Sequence, residues 1–137
     1  MNDIYLKDIE KARERLAPIL HHTELDLSAT FSKMTGASVY LKCENRQKTG
    51  SFKIRGASNK IAILAESGGA KSVVASSAGN HAQGVAYAAS RFGIPATIVM
   101  PKAAPIAKVK ATEGYGVRSN STRFTPFTSV TMRDVIC

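Results

Sequence analysis

Acidic residues are scarce in this chain. Ten Asp and Glu stand against 19 Lys and Arg, a formal net charge of +9 over 137 residues. That balance invites a nucleic-acid reading, but the pattern argues against one. Lys42, Arg46, Lys48, Lys53, Arg55 and Lys60 are interrupted by Gly, Ser and apolar residues, and no aromatics alternate with them as stacking platforms. A solvated basic face is expected, with no nucleic-acid partner. Cysteine is also rare. Cys43 and Cys137 have no CxxC neighbour and no His at ligand spacing, so no zinc site is assigned. Long apolar runs are missing too, and none approaches the roughly 20 residues of a membrane span. Met1 to Asp8 lacks a basic region followed by an apolar block, so no signal peptide is expected. These absences place the chain in the cytoplasm, away from membranes, where a disulfide is not expected. Trp is absent as well, but hydrophobic residues make up 44%, enough for a core in what its length suggests is one domain.

Periodicity supplies the fold class. Leu6, Ile9, Ala12 and Leu16 recur at helical spacing, and Pro18 ends or bends that helix. His21 to Ser32 reads as a connection, with a short turn of structure near Leu27 to Met34. Val39 to Cys43, β-branched and aromatic, reads as a strand. Gly50-Ser51 opens a helix from about Phe52 to Glu66, which Ser67-Gly68-Gly69 closes. Ser72 to Ala75 is a short strand, apolar on both faces as a buried parallel strand would be. A helix from about Asn80 to Phe92 stops at Gly93. Pro95 to Met100 is a further strand, and Pro105 to Glu113 a further helix. The alternation predicts α/β architecture, part of a three-layer arrangement in which helices flank a parallel sheet.

After Gly116 the pattern changes. Val117 to Cys137 contains seven Ser or Thr and a single acid, Asp134, without sustained periodicity. A fourth strand is due there, and no convincing one is found.

Two segments carry the chemistry. In Ser51-Phe52-Lys53-Ile54-Arg55-Gly56-Ala57 a lysine sits at a helix start beside an aromatic. Lysine condenses with an aldehyde only as the neutral amine, so a site using it must offset its ordinary charge. The positive end of a helix contributes to that, and Arg55 would add to it if its side chain points the same way. Taken alone, a lysine in a basic chain is most simply a solvated surface residue. In Ser77-Ala78-Gly79-Asn80-His81-Ala82-Gln83-Gly84, small residues at the mouth of a helix offer backbone N–H groups to an anion. Asn80 explains itself equally well as a helix cap. His81 by itself reads as a polar or packing residue, and His21 and His22 as structural ones.

These two segments, in this order and separation, resemble the threonine dehydratase (threonine ammonia-lyase) family of fold-type II pyridoxal-phosphate enzymes. Leu41 to Gly50 and Ile98 to Val109 fit the same pattern, and the resemblance runs from about Leu6 to Gly116. It implies that Lys53 forms the Schiff base, Phe52 covers the cofactor ring and Asn80 meets its 3-hydroxyl oxygen. It further implies that Ser77, Ala78, Gly79, Asn80 and His81 hold the carboxylate of an amino-acid substrate. The implied reaction converts L-threonine, or L-serine, to 2-oxobutanoate or pyruvate and ammonia, in a homo-oligomeric parent. Serine racemase or serine dehydratase activity is the alternative within the same chemistry. A non-catalytic fragment that binds a partner subunit is the alternative outside it.

The sequence also departs from that pattern. Thr23-Glu24-Leu25 stands where the family usually has Thr-Pro-Leu. The later glycine-rich loop for the cofactor phosphate, and the hydroxyl or thiol for the pyridine nitrogen, are absent. The implied division is 1–50 as part of the larger domain, 51–116 as an incomplete small domain with the lysine, and 117–137 as a divergent tail. The abrupt loss of pattern in that tail suggests disorder or a shifted reading frame, against a genuine short protein with an unrelated C-terminus. An inactive truncation with a half-site and exposed apolar faces is the expectation for the chain as written.

Overall fold

Residues 3–69 and 71–122 are described by the computed structural model. Helix α1 (Leu6–Leu16) starts where the Asp8 carboxylate accepts the Tyr5 N–H at 3.0 Å, satisfying one of the donors a helix start leaves unpaired. Of its apolar stripe only Leu16 is buried, while Leu6 stays 74% exposed. Arg15 fastens the helix to its neighbour α3 (Lys53–Glu66), donating to Glu66 at 3.1 Å and to Asn59 at 2.8 Å.

The predicted connection after α1 contains a strand. β1 (Leu25–Leu27) pairs antiparallel with β2 (Tyr40–Lys42), in the register Leu25↔Lys42 and Leu27↔Tyr40. Helix α2 (Ala29–Thr35) lies between them. Ser28 Oγ accepts the Phe31 N–H at 3.3 Å to begin it. All six residues of this two-stranded sheet are exposed, and α2 buries none of its own.

The second sheet holds the core. β3 (Val73–Ser76), β4 (Ala96–Pro101) and β5 (Arg118–Thr122) run parallel in the order β3-β4-β5. Helix α4 (Asn80–Arg91) connects the first two strands, and α5 (Ile106–Glu113) the last two. Strand side chains alternate between faces. Val73, Ala75, Ala96, Ile98 and Met100 form one buried face, packed with Ala82, Val85, Ala88 and Ala89 of α4 and with Ala57 and Ile61 of α3. Val74, Thr97 and Val99 on the other face are half-buried. Helices and a parallel sheet thus occur as the alternation predicts.

β5 corrects the reading of the segment after Gly116. Backbone pairing aligns Thr97↔Arg118 through Pro101↔Thr122, so the strand due in the βα series is present. Its sequence, Arg-Ser-Asn-Ser-Thr, has no apolar residue to signal it. The rest of the divergent tail, including Cys137, lies outside the described residues.

Helices α3 and α4 pack against each other at close range. A Cβ placed on Gly84 would stand 3.2 Å from the Ile54 Cα and 3.3 Å from the Ala57 Cβ. Only a residue without a side chain lets the backbones approach this closely. Gly84 lies one turn into α4 and Ile54 at the second position of α3, so the opening turns of both helices meet side by side.

Candidate active site

The turn before α3 sets the place of Lys53. Gly50 adopts φ +69°, in the left-handed region open to glycine, and its N–H donates to the Gln47 carbonyl at 2.7 Å. Buried Ser51 follows, its Oγ accepting the Lys53 N–H at 3.4 Å. Lys53 is the first residue of α3 and is exposed. Its Nζ lies 5.6 Å from the centroid of the Phe52 ring, itself 61% exposed. The lysine and the aromatic singled out from the sequence are therefore neighbours in space, both open to a ligand.

The preceding segment is held by side chains. Gln47 is buried. Its Oε1 accepts the His21 N–H at 3.0 Å and its Nε2 donates to the His21 carbonyl at 2.9 Å. Lys48 Nζ donates to the Ile19 carbonyl at 2.7 Å and to the Tyr87 hydroxyl at 3.1 Å, joining this segment to α4.

Arg55 does not join Lys53. Its guanidinium forks onto Glu44, with Nε to Oε2 at 2.8 Å and Nη2 to Oε1 at 2.7 Å, and Nη2 also donates to the Thr23 hydroxyl at 3.1 Å. The Thr23 hydroxyl donates to Glu44 at 2.6 Å, and Lys42 Nζ donates to the Thr23 carbonyl at 2.7 Å. The condition under which Arg55 would add positive potential at Lys53 is thus not met. The hydrogen bond from Arg55 lowers the Glu44 carboxyl from 4.5 to about 2; burial opposes this, and the Thr23 hydroxyl and the charges of Arg55 and Lys42 assist it. Arg55 is raised in turn, chiefly by its hydrogen bond to Glu44. Glu44 and Thr23 were missed as structural partners of the lysine helix. The bond spans 11 residues of sequence and leaves no periodic signal.

The second motif runs from the end of β3 into α4. The Ser77 N–H donates to the Val99 carbonyl at 3.1 Å, and the Gly79 N–H to the Ser77 hydroxyl at 3.3 Å. Those two amides are committed to the sheet and the turn, so an anion would be met by amides further into the helix mouth. The cap of α4 is Gly79, with no side-chain cap bond. Asn80 is the first helical residue and not the cap. Its Oδ1 instead accepts a hydrogen bond from Lys108 Nζ at 3.0 Å. Ala78 and Gly79 are half-buried beside it, and His81 enters the first turn half-buried.

One end of the molecule thus collects an open lysine with an aromatic neighbour at the start of α3, and a carboxamide and glycine-opened helix mouth where β3 passes into α4. That is the layout of an α/β enzyme that binds its ligand at the strand ends. Residues 16–123 match the family described as pyridoxal-phosphate dependent enzyme, and the chain belongs to that family. It is 56% identical over 115 residues to an L-threonine ammonia-lyase of Thermotoga maritima, covering 84% of this chain and 29% of the relative. Among solved structures it resembles serine racemase from Dictyostelium discoideum, with a TM-score of 0.84 and 40% identity over 90% of this chain and 40% of that one. It also resembles threonine deaminase isoform 2 from Solanum lycopersicum in its processed form, with a TM-score of 0.75 and 31% identity over 90% of this chain and 36% of that one. The chain spans about a third of the length of such relatives.

The donor set fits the family's cofactor on one side. A primary amine suits its aldehyde, the Phe52 ring suits its ring, and a carboxamide suits its phenolic oxygen. No helix among the described residues is long and apolar enough to cross a membrane.

Proposed function

We propose that a polypeptide carrying this chain dehydrates and deaminates L-threonine, and L-serine as a second substrate, giving 2-oxobutanoate or pyruvate and ammonia. The observation that carries the reading is the place of Lys53: exposed on the opening turn of α3, against Phe52, and beside the opening turn of α4. The likeness to an L-threonine ammonia-lyase supports the substrate.

Lys53 would hold the cofactor through its aldehyde carbon, with Phe52 over the ring and Asn80 at the 3-hydroxyl oxygen. When bound, pyridoxal phosphate supplies an electron sink for negative charge developed at the substrate α-carbon. The Lys53 Nζ would also serve as the base for the substrate α-proton. The helix mouth at Ser77, Ala78, Gly79, Asn80 and His81 would orient the carboxylate, the Ser77 and Gly79 amides remaining on the sheet and the turn. The family's glycine-rich phosphate loop has no counterpart in residues 1–137, so we assign the phosphate side to the remainder of a family-length, homo-oligomeric polypeptide in the cytoplasm.

The test is to incubate the chain with pyridoxal phosphate, reduce with borohydride and locate the adduct by peptide mass spectrometry. The adduct is expected on Lys53 and absent in Lys53→Ala. Trapping on another lysine, or equal trapping in the variant, refutes the assignment. Likeness to serine racemases supports a second reading. Kinetics on L-threonine, L-serine and D-serine with the family-length protein separate the two.

A further inference from the structure

We infer that Lys108 is a positioning residue that fixes which end of the Asn80 carboxamide faces the cofactor. The inference rests on the proposal that Asn80 meets the cofactor's 3-hydroxyl oxygen. A carboxamide has two ends of nearly equal size: its oxygen only accepts and its NH2 only donates. Turned the wrong way it would present an acceptor to an oxygen that itself needs a donor. An ammonium is a donor with no acceptor. Lys108 Nζ lies 3.0 Å from Asn80 Oδ1, and only the oxygen end can satisfy it. Rotating the amide would set NH2 against NH3+, so one orientation is selected and the Asn80 Nδ2 hydrogens are left for a ligand.

The backbone beneath Lys108 is itself fixed. Lys108 is the third residue of α5, and its N–H donates to the Pro105 carbonyl at 2.9 Å. Its carbonyl accepts the hydroxyl of Thr112 at 2.8 Å, and Thr112 is fully buried. The bond joins the start of α5 to the start of α4 across 28 residues of sequence, at the same strand ends. Gly79 caps α4 without a side-chain bond, so the Asn80 carboxamide is not drawn into capping and remains available to Lys108.

Two readouts test this, the first without cofactor or turnover. In the 15N-labelled 137-residue chain, the Asn80 side-chain NH2 resonances are identified by their loss in Asn80→Asp. They should move in Lys108→Met and return towards the original positions in Lys108→Arg. Unmoved resonances in Lys108→Met overturn the inference alone and leave the role of Asn80 standing. The second readout is trapping of pyridoxal phosphate at subsaturating concentration in Lys108→Met, Asn80→Ala and the double variant. Lys108→Met should weaken trapping by roughly three- to tenfold, the worth of one hydrogen bond, and add nothing in the Asn80→Ala background. Equal weakening in both backgrounds means that Lys108 acts on its own and overturns the inference. Undiminished trapping in Asn80→Ala overturns the cofactor role of Asn80 and this inference with it.

Discussion

Replacing Glu44 by Gln removes the charge that Arg55 forks onto, and the pH dependence of the loss can be worked out in advance. The folded protein holds the Glu44 carboxyl at about 2, against 4.5 for an unperturbed one. A depressed carboxyl stabilises the fold in full above its unfolded value and loses that contribution as the pH falls through the folded one. The window is therefore from about 4.5 down to about 2. At about 1.4 kcal/mol per unit the shift corresponds to a ceiling of about 3 kcal/mol. The Glu44 side chain is 17% exposed but that of Arg55 is 34% exposed. Solvent screening therefore brings the expected loss to about 1–2 kcal/mol, or roughly 3–12 °C in melting temperature for a domain of this size. Urea unfolding of the native and Glu44→Gln chains across pH provides the assay. The stability gap between them should be full at neutral pH and shrink below about 4.5, because protonated glutamate then resembles glutamine. A gap that stays constant down to the lowest pH at which both chains fold would refute the ion-pair account.

Three further predictions concern packing and turns. Gly84→Ala should destabilise by about 1–2 kcal/mol in urea despite alanine's better helix propensity, because the added methyl meets the Ile54 backbone at 3.2 Å. A more stable variant would disprove that contact. Ser58 is fully buried in α3 and its hydroxyl has no hydrogen-bond partner among the described residues. Ser58→Ala should therefore raise stability by about 1 kcal/mol, and a loss would mean that the hydroxyl is satisfied. Gly50→Ala should slow trapping of pyridoxal phosphate at Lys53 and cost about 1 kcal/mol by forcing a side chain into a left-handed turn. Unchanged trapping kinetics would show that the turn does not set the lysine.

The sequence reading succeeded where a segment's environment is one-sided and long enough to repeat. α3 and α4 were legible because their core residues recur at helical spacing and glycines mark their ends. β3 and β4 were legible because both are short apolar runs feeding a buried layer. β1 was missed because Leu25-Asp26-Leu27 is three residues long and exposed throughout, so no burial pattern exists to be read. β5 was missed because backbone pairing with β4 defines it, while its five residues are all polar. At the site, both motifs were visible as local strings, and their elements meet at one end of the molecule. The partners of Arg55 and Asn80 were not visible. Glu44 and Lys108 reach them through the fold, across 11 and 28 residues. The capping role that local spacing offered Asn80 falls instead to Gly79, whose conformation no side-chain pattern announces.

The paired bonds from Gln47 to the His21 backbone close a loop of 26 residues ahead of the lysine helix. Closing a loop of that length costs roughly 3 kcal/mol in chain entropy, beyond a constant. The protein's own side chains offset that cost, with Thr23, Glu44 and Lys48 acting alongside Gln47. A ligand bound at Lys53 as proposed would therefore meet an approach already ordered, and its binding free energy would not be drawn down to order the chain. Affinity at the lysine would in that sense be set in part by a glutamine whose side chain is spent on the backbone of a distant loop.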